Sequence, residues 1–364
     1  MRFKEFSGEW GKCKIKEILK IKSGKDQKKI EKSNGKYFIY GTGGIIGTTD
    51  TFLYDKESVG IGRKGTIDKP VYFNKPFWTV DTLFYSEINK NYYVKFVYYL
   101  FETINWKMYD ESTGVPSLSS STIESIGVYI TNKEEQQKIA TFLTLIDKRI
   151  ETQMKIIEEY KSLMNSIVIK IFGDKSKFSS IWKKTKLSEV LTERKLYAQK
   201  DSEFTHVTLS KDGIIDKTDR YNRDFLVKDE EKEYKITKLN DICYNPANLK
   251  FGVICLNKYG DAIFSPIYVT FEINKNYNPH FIELALINAT FIRHIRKYEQ
   301  GTVYERMAVS SEDFLKGTIF TPSLEEQNNI VKILSIIDNK LKVEMKILKS
   351  LKKQKTYLLN NMFI

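Results

Sequence analysis

The sequence contains an internal repeat that spans 41 residues. Residues 132–172 align without a gap with residues 323–363 at a constant offset of 191 positions. A shorter similarity opens each half of the chain, between EWGKCKIKEIL from Glu9 and IWKKTKLSEVL from Ile181. A period this long exceeds that of solenoid repeats, so it indicates a duplicated domain with a pseudo-twofold relation between its halves. Twelve aligned pairs are identical, namely Glu134/Glu325, Glu135/Glu326, Gln136/Gln327, Ile139/Ile330, Leu143/Leu334, Ile146/Ile337, Asp147/Asp338, Met154/Met345, Lys155/Lys346, Ile156/Ile347, Lys161/Lys352 and Phe172/Phe363.

Both repeated segments have the hydrophobic period of a long helix. Their apolar residues recur at intervals of three, four and seven, which is typical of a coiled coil. Asn132 and Ser323 are suited to cap the two helix starts, and Gly173 to end the first helix. We expect the helices to pack antiparallel through Ile139, Leu143, Ile146, Ile150 and Ile157 on the first and Ile330, Leu334, Ile337, Leu341 and Leu348 on the second.

The stretches between the helices read as two globules that share a layout but little sequence. Residues 37–86, 203–209 and 252–273 have the composition of short strands and turns, whereas residues 91–106 and 279–298 have that of helices. The sequence therefore predicts an α+β protein with two globular domains separated by two long antiparallel coiled-coil helices. The predicted boundaries are 1–131 for the first globular domain, 132–172 for the central helix, 173–322 for the second domain with a short linker, and 323–364 for the distal helix.

Composition limits the classes of protein to which the chain can belong. No apolar run approaches the roughly 18 residues of a membrane span, and the charged N-terminus lacks the core of a signal peptide. The three cysteines are widely spaced and odd in number, which suits a reducing cytoplasm rather than a disulfide framework. The net charge of +13 favours a polyanionic partner, but the lysines that produce it are spread along the chain.

The segment YGTGGIIGTTD, residues 40–50, is close to the glycine fingerprint of a dinucleotide-binding loop. Gly41 and Gly43 have the right spacing, but the last glycine position of the fingerprint is occupied by Ile46. Strand-like sequence lies on both sides, and no helix follows. A β-hairpin whose glycines adopt positive φ is therefore the better interpretation.

Other catalytic patterns fail in similar ways. YNPAN, residues 244–248, departs from the NPP(Y/F) motif of amino-methyltransferases, and the three histidines have no zinc spacing. No phosphate-binding GxxxxGK(S/T) loop is present. The chain is therefore expected to be non-catalytic. The alternatives are a self-sufficient DNA-modifying enzyme, a nuclease or methyltransferase, and a helical scaffold without sequence preference.

The layout of two variable globules and two similar helices, each opening in EEQ, resembles the specificity subunit of type I restriction–modification systems. The resemblance covers essentially the whole chain. Its most specific parts are GVPSLSSSTIESIGVYITNKEEQQKIATFLTLIDKRI, residues 114–150, and MAVSSEDFLKGTIFTPSLEEQNNIVKILSIIDNKL, residues 307–341. Residues 39–85 and 241–273 are similar to target-recognition domains of this family. Asn132 stands where a proline is usual.

The resemblance implies a division of labour. Each target-recognition domain would read one half of a bipartite, asymmetric target in double-stranded DNA. The helix pair would dock two methyltransferase subunits, and restriction subunits with motor and nuclease activity would join the complex. S-adenosylmethionine, ATP and Mg²⁺ are then expected on the partner subunits, and no cofactor or metal on this chain.

Arginine is scarce, with nine residues among 59 basic ones, so its position is informative. Arginine can bind guanine edges and asparagine adenine edges, whereas lysine mostly contacts phosphates. On this basis the predicted DNA-contacting residues are Thr42, Arg63, Lys64 and Lys69 in the first domain, and Tyr221, Asn222, Arg223, Asn245, Asn248, Lys250, Tyr304 and Arg306 in the second.

Overall fold

The computed structural model describes residues 1–173, 181–199, 202–211, 213–217, 233–301 and 307–363. The chain divides into two compact units, and each long helix contributes to both. Unit 1 comprises residues 1–155 and 345–364, and unit 2 comprises residues 156–344.

Unit 1 begins with a series of short strands and three short helices. Its elements are β1 (Gly11–Lys14), α1 (Ile15–Ile18), β2 (Leu19–Lys22), β3 (Glu31–Lys32), β4 (Tyr37–Gly41), β5 (Gly44–Thr49), β6 (Ser58–Gly62), β7 (Val71–Phe73), β8 (Phe77–Thr79), β9 (Leu83–Ile88), α2 (Val94–Thr103), α3 (Ser120–Ser125) and β10 (Gly127–Ile130). The first long helix, α4 (Lys133–Phe172), follows. Two four-stranded sheets have the orders β2-β9-β6-β7 and β3-β5-β4-β8, and β1 pairs with β10.

Unit 2 begins within α4, at Ile156, and continues beyond the end of that helix. Its elements are β11 (Lys183–Lys186), α5 (Leu187–Val190), β12 (Leu191–Glu193), β13 (Tyr197–Ala198), β14 (Thr205–Ser210), β15 (Gly213–Asp216), β16 (Tyr234–Thr237), β17 (Ile242–Tyr244), β18 (Ile254–Leu256), β19 (Ala262–Phe264), β20 (Val269–Ile273), α6 (Pro279–Ile287), α7 (Ala289–Ile295), α8 (Ser311–Leu315), β21 (Thr318–Thr321) and the second long helix, α9 (Leu324–Met362). Its sheets have the orders β12-β20-β17-β18 and β13-β16-β19-β14-β15, and β11 pairs with β21.

The two globules have equivalent topologies, which confirms the predicted shared layout. The sheet β2-β9-β6-β7 corresponds strand by strand to β12-β20-β17-β18. In the other sheet, the hairpin β4–β5 corresponds to the hairpin β14–β15. The first strand of each hairpin also pairs in parallel with a strand that follows later in the chain, β4 with β8 and β14 with β19. The duplication inferred from the helices therefore extends to globules whose sequences differ.

The helix predicted over residues 279–298 is wrong in one respect, because it is broken at Asn288. The backbone of Asn288 is extended, with φ −71° and ψ 149°, and its side-chain oxygen accepts a hydrogen bond from the Phe291 amide at 2.9 Å. Asn288 thus caps a new helix, α7. Hydrophobic composition gave no sign of this break because both sides of it are apolar.

The long helices α4 and α9 confirm the predicted pair. Asn132 caps α4 by accepting a hydrogen bond from the Glu135 amide at 2.9 Å, and Ser323 does the same for Glu326 at 3.3 Å. In unit 1, the N-terminal part of α4 shares a buried cluster with Leu358, Leu359 and Met362 near the C-terminus of α9. This pairing of opposite ends is that of antiparallel helices. In the described part of the chain no helix is long and apolar enough to cross a membrane.

Five of the ten predicted seam residues are buried and the other five are half-buried. Ile139, Leu143, Ile146, Ile157 and Leu334 are buried, and Ile150, Ile330, Ile337, Leu341 and Leu348 are half-buried. The sequence analysis missed Leu351 and Leu358, which are also buried on α9. They continue the heptad, but Glu344 stands at the heptad position between Ile337 and Leu351, and Lys355 stands between Leu351 and Leu358, so the apolar pattern is interrupted.

Candidate nucleic-acid interface

Arg63 and Lys64 lie on the loop that joins β6 to β7 in unit 1. Their backbone amides both donate to the carbonyl oxygen of Thr82, at 2.8 and 3.2 Å. Their side chains are exposed, and Arg63 Nη1 lies 3.4 Å from the carbonyl oxygen of Asp81. The backbone is therefore fixed while both positive charges remain available to a ligand.

Glycines determine the shape of this loop. A Cβ built on Gly62 would lie 2.0 Å from the carbonyl oxygen of Thr66, so no side chain fits there. Gly65 has a φ of +97°, which L-residues with side chains rarely adopt. A Cβ on Gly65 would lie 3.5 Å from Thr42 Oγ1, so the half-buried Thr42 neighbours the Arg63 loop. Lys69 is exposed further along the same loop.

The glycine-rich segment of residues 40–50 forms the predicted hairpin. Strands β4 and β5 pair antiparallel around a turn at Thr42 and Gly43, and Gly44 has a φ of +119°. Of the glycines at 41, 43, 44 and 47, Gly44 alone has a positive φ. The segment is therefore a strand–turn–strand element, which differs from the strand–turn–helix element of a dinucleotide-binding loop.

A second loop of unit 1, residues 110–118, is joined to the Arg63 loop. The Leu118 amide donates to the carbonyl oxygen of Arg63 at 2.9 Å, and the Gly65 amide donates to that of Pro116 at 2.8 Å. The Asp110 carboxylate accepts hydrogen bonds from the Ser117 and Ser112 amides, and these bonds hold its pKa below the usual value. This rigid loop exposes residues 113–116.

The sequence analysis missed the loop of residues 110–118, although the repeat contained a signal. The offset of 191 aligns Thr113 and Val115 with Tyr304 and Arg306, which were selected as DNA-contacting candidates in the second half. Thr113 and Val115 carry no charge. Their loop lies beside the Arg63 loop only because hydrogen bonds join these two segments, which are far apart in sequence. Residue type alone therefore gave no reason to select them.

Asn245, Asn248 and Lys250 lie on the loop between β17 and β18, which is the topological equivalent of the Arg63 loop. Asn245 Oδ1 accepts a hydrogen bond from the Ala247 amide at 3.1 Å and so caps a 3₁₀ helix over Pro246–Phe251. Asn245 and Asn248 are half-buried and Lys250 is exposed. Since the Asn245 oxygen already caps a helix, Asn248 and Lys250 are the better candidates for contact with a ligand.

This loop of unit 2 is also joined to the segment before a short helix. The Val309 amide donates to the carbonyl oxygen of Pro246 at 3.3 Å, as the Leu118 amide does to that of Arg63 in unit 1. The remaining candidates, Tyr221, Asn222, Arg223, Tyr304 and Arg306, lie outside the described residues.

The repeated EEQ motif has a structural role in unit 1. Gln136 is buried, donates from Nε2 to the carbonyl oxygen of Thr131 at 2.7 Å and accepts from the Tyr93 amide at the start of α2 at 2.9 Å. Glu135 is buried beside it and binds Arg2 through two hydrogen bonds of 2.6 Å. These contacts attach the globule to the first turn of α4.

The same attachment recurs in unit 2. Gln327 donates to the carbonyl oxygen of Pro322 at 3.0 Å and accepts from the Asn278 amide at the start of α6 at 2.9 Å. Glu326 accepts a hydrogen bond from Trp182 Nε1 at 3.1 Å. The identical residues of the repeat therefore join different globules to similar helices.

Some repeated positions on the helices face outward. Leu145 and its equivalent Ile336 are 58% and 60% exposed, and Met154 and Met345 are each 51% exposed. Large exposed apolar side chains therefore occur at matching positions of both helices.

The buried thiols of unit 2 are poor nucleophiles. Cys243 and Cys255 are cross-strand neighbours on β17 and β18, and both are buried. Burial raises the pKa of Cys243 to about 12. Both thiols are therefore protonated and enclosed at neutral pH. Within the described ranges, no group of three or more His, Cys, Asp or Glu side chains could hold a metal ion.

The chain is similar to known proteins over its whole length. Residues 7–161 match the model of the type I restriction modification DNA specificity domain. A protein of Mycoplasma genitalium, described as a type I specificity subunit, is 25% identical over 380 residues that cover 97% of this chain and 94% of that protein.

Solved structures show the same fold. The crystal structure of the type I restriction–modification S subunit of M. genitalium matches with a TM-score of 0.63 at 20% identity, covering 100% of this chain and 99% of that one. A second solved structure, which concerns complex assembly and conformational transition of the type I restriction–modification system, matches with a TM-score of 0.59 at 11% identity. The match covers 98% of each chain. Together with the duplicated globules and the paired long helices, these similarities show that residues 7–161 match the type I restriction modification DNA specificity domain and that the chain has the fold of the type I restriction–modification S subunit.

Proposed function

We propose that this chain reads a bipartite, asymmetric target in double-stranded DNA, one half with each globule, and itself supplies no catalytic group. One observation carries the proposal. The loops after β6 and after β17 are topologically equivalent, yet one presents Arg63 and Lys64 and the other Asn248 and Lys250. Equivalent loops with different side chains fit two half-sites of different sequence.

The side chains of the two loops fit different contacts. Arg63 can donate two hydrogen bonds to a guanine edge, and Asn248 can pair with an adenine edge. Lys64, Lys69 and Lys250 are exposed cations suited to phosphate contacts, which fix the register of a protein on the duplex. The match of residues 7–161 to a DNA specificity domain and the similarity of the chain to a type I specificity subunit favour this function over a self-sufficient nuclease or methyltransferase.

The twofold exposed apolar surface on the long helices supports a further part of the proposal. Leu145 and Ile336 occupy equivalent positions and are equally exposed, so each offers the same contact to the same kind of partner. Two copies of a methyltransferase subunit satisfy this repetition. Restriction subunits complete the complex, and S-adenosylmethionine, ATP and Mg²⁺ bind to the partner subunits. The three free cysteines fit the reducing cytoplasm as the location of this complex.

Selection of bound sequences from a random duplex pool tests the reading function. The chain, assembled with its methyltransferase partner, is expected to enrich two short conserved blocks of different sequence, separated by an unconserved spacer of fixed length. Enrichment of one contiguous block, or of none, would contradict the proposal.

Native mass spectrometry of the assembled complex tests the docking surface. Leu145→Asp and Ile336→Asp should each remove one methyltransferase subunit, and the double variant should remove both. Because both side chains are exposed, thermal unfolding of the isolated chain should hardly change. Full assembly of the double variant would show that the partners bind elsewhere.

A further inference from the structure

The hairpin β4–β5 of unit 1 exposes two consecutive isoleucines. Ile45 is 54% exposed and Ile46 is 51% exposed. Consecutive side chains on a regular strand point to opposite faces of the sheet, so one of such a pair is usually covered. Two large apolar side chains in solvent at one hairpin therefore need a local cause.

The cause is a β-bulge. Ile39 pairs with Gly47 and Tyr40 pairs with Ile45, so Ile46 has no partner on β4. A bulge redirects the side chains around it and often lies beside a functional site. Ile46 extends across Gly41, since a Cβ built on Gly41 would lie 3.3 Å from Ile46 Cγ2. The neighbouring strand β3 pairs with Thr48 and Thr49, and its residues line a surface depression together with Ile45 without burying that side chain.

The equivalent hairpin of unit 2 provides an internal comparison. It also begins with a glycine of positive φ, Gly213 at +112°, followed by Ile214 and Ile215. Its register is regular, with Leu209 paired to Ile214 and Thr208 to Ile215, and both isoleucines are half-buried. The bulge and the exposed pair are thus features of the β4–β5 hairpin that the described residues of β14 and β15 do not share.

Positive charge adjoins the exposed pair. The turn of the hairpin at Thr42 neighbours Gly65, which directly follows Arg63 and Lys64, and both cationic side chains are exposed. Two acidic side chains lie at β5: Glu31 approaches Gly47, and Asp50, which directly follows the strand, is paired with Lys32. An apolar tip beside cations suits a polyanion that displays apolar groups. The major groove of DNA does so through the 5-methyl groups of thymine, and it admits a two-stranded β-ribbon.

We propose that Ile45 and Ile46 are specificity-determining residues of unit 1 that pack against thymine 5-methyl groups in the major groove of its half-site. The inference rests on the proposed function and names which base chemistry the hairpin reads. Arg63 and Lys64, on the adjoining loop, contact the DNA phosphate backbone or a guanine edge while the isoleucines make their apolar contact.

Duplexes in which single thymines are replaced by deoxyuridine test this directly, because deoxyuridine lacks only the 5-methyl group. Binding is measured with the chain assembled with its methyltransferase partner, on the half-site determined by selection. Loss of one buried methyl should weaken binding of the wild-type complex about fourfold at one or two positions. The double variant Ile45→Ala, Ile46→Ala should bind thymine and deoxyuridine duplexes equally.

Three further variants make the result specific. Ile45→Val and Ile46→Val keep apolar contact and should retain part of the discrimination. Ile215→Ala, at the equivalent hairpin of unit 2, should leave discrimination in the half-site of unit 1 unchanged. Since Ile45 and Ile46 are exposed, thermal unfolding of their variants should match that of wild type.

Several results would overturn the inference while leaving the proposed function intact. These are a half-site without thymine, a wild-type complex that ignores the 5-methyl group, or an alanine variant that still discriminates. An alanine variant that loses its methyltransferase partner but keeps the discrimination would show that the hairpin docks protein. A complex that prefers no duplex sequence would contradict the proposed function, and the inference with it.

Discussion

Gln136 and Gln327 show why a residue can be identical in both halves of a duplicated chain without contacting a ligand. The side-chain nitrogen of each donates to a backbone carbonyl in the loop before its long helix. The side-chain oxygen of each accepts from the backbone amide at the start of a globule helix, α2 or α6. An amide group has both a donor and an acceptor, so it can make this bridge, whereas a carboxylate or an apolar side chain of similar length cannot.

Substitution of Gln136 should therefore destabilise the chain, although a polar residue at this position of the heptad would be expected to face solvent. Gln136→Ala leaves the half-buried Tyr93 amide without its acceptor and should lower the free energy of unfolding by about 1–3 kcal/mol. Gln137→Ala is the matched control, because Gln137 is exposed on the same helix turn. Equal urea denaturation midpoints for the two variants would show that the bridge contributes nothing.

Lys64 should contribute to DNA affinity through charge rather than through base identity. If it contacts one phosphate, Lys64→Ala should weaken binding to all duplex sequences alike and reduce the slope of log K against log salt by about 0.9. Lys170→Ala, an exposed lysine on α4, should leave the slope unchanged. A Lys64→Ala complex with the wild-type slope and an altered sequence preference would instead make Lys64 a base-reading residue.

At the scale of elements, α4 has a buried and an exposed side within consecutive residues. Ile146 is 8% exposed and packs in the cluster that contains Leu358 and Met362, whereas Leu145 is 58% exposed. Ile146 therefore packs against the other long helix, whereas the adjacent Leu145 is exposed at the surface proposed to dock a partner.

Charge at these two positions should have different effects on stability. Ile146→Asp places a carboxylate without a partner in the apolar cluster and should cost about 3–5 kcal/mol in unfolding free energy. Leu145→Asp should change the free energy of unfolding by less than about 0.5 kcal/mol, as surface substitutions usually do. Thermal unfolding of both variants measures this, and similar melting temperatures would mean that Ile146 is not part of the helix contact.

Periodicity predicted the elements better than it predicted their interruptions. The heptads of residues 132–172 and 323–363 are sustained, so both helices and their caps were recognisable. Leu351 and Leu358 were missed because charged residues interrupt the apolar stripe, and the break at Asn288 was missed because one side chain caps a helix inside an apolar run. In each case one or two polar side chains make the apolar pattern an incomplete guide to the structure.

The candidate site was less predictable than the fold. Residue chemistry selected Arg63 and Lys64, which the structure exposes, and Asn245, whose oxygen instead caps a helix. The loop of residues 110–118 and the bulge at Ile46 contain no residue type that signals DNA binding. Their relevance comes from hydrogen bonds and strand register between segments far apart in sequence, which a local pattern does not contain.

At the scale of the whole molecule, the duplication separates what is shared from what differs. The helices and the EEQ contacts are similar in both halves, as the proposed docking of two identical partner subunits requires. The reading loops are equivalent in topology and different in side chains, as an asymmetric target requires. The domain boundaries at residues 131, 172 and 322 remain a prediction, because the compact units divide both long helices between them.

The most direct test of this account is methylome sequencing of cells that express the chain, or a variant, with its methyltransferase partner. Arg63→Ala with Lys64→Ala should relax or weaken one half of the bipartite motif and leave the other half unchanged. Asn248→Ala with Lys250→Ala should do the reverse. If either pair changes both halves of the motif to the same extent, the two globules do not read separate half-sites, and the central claim is wrong.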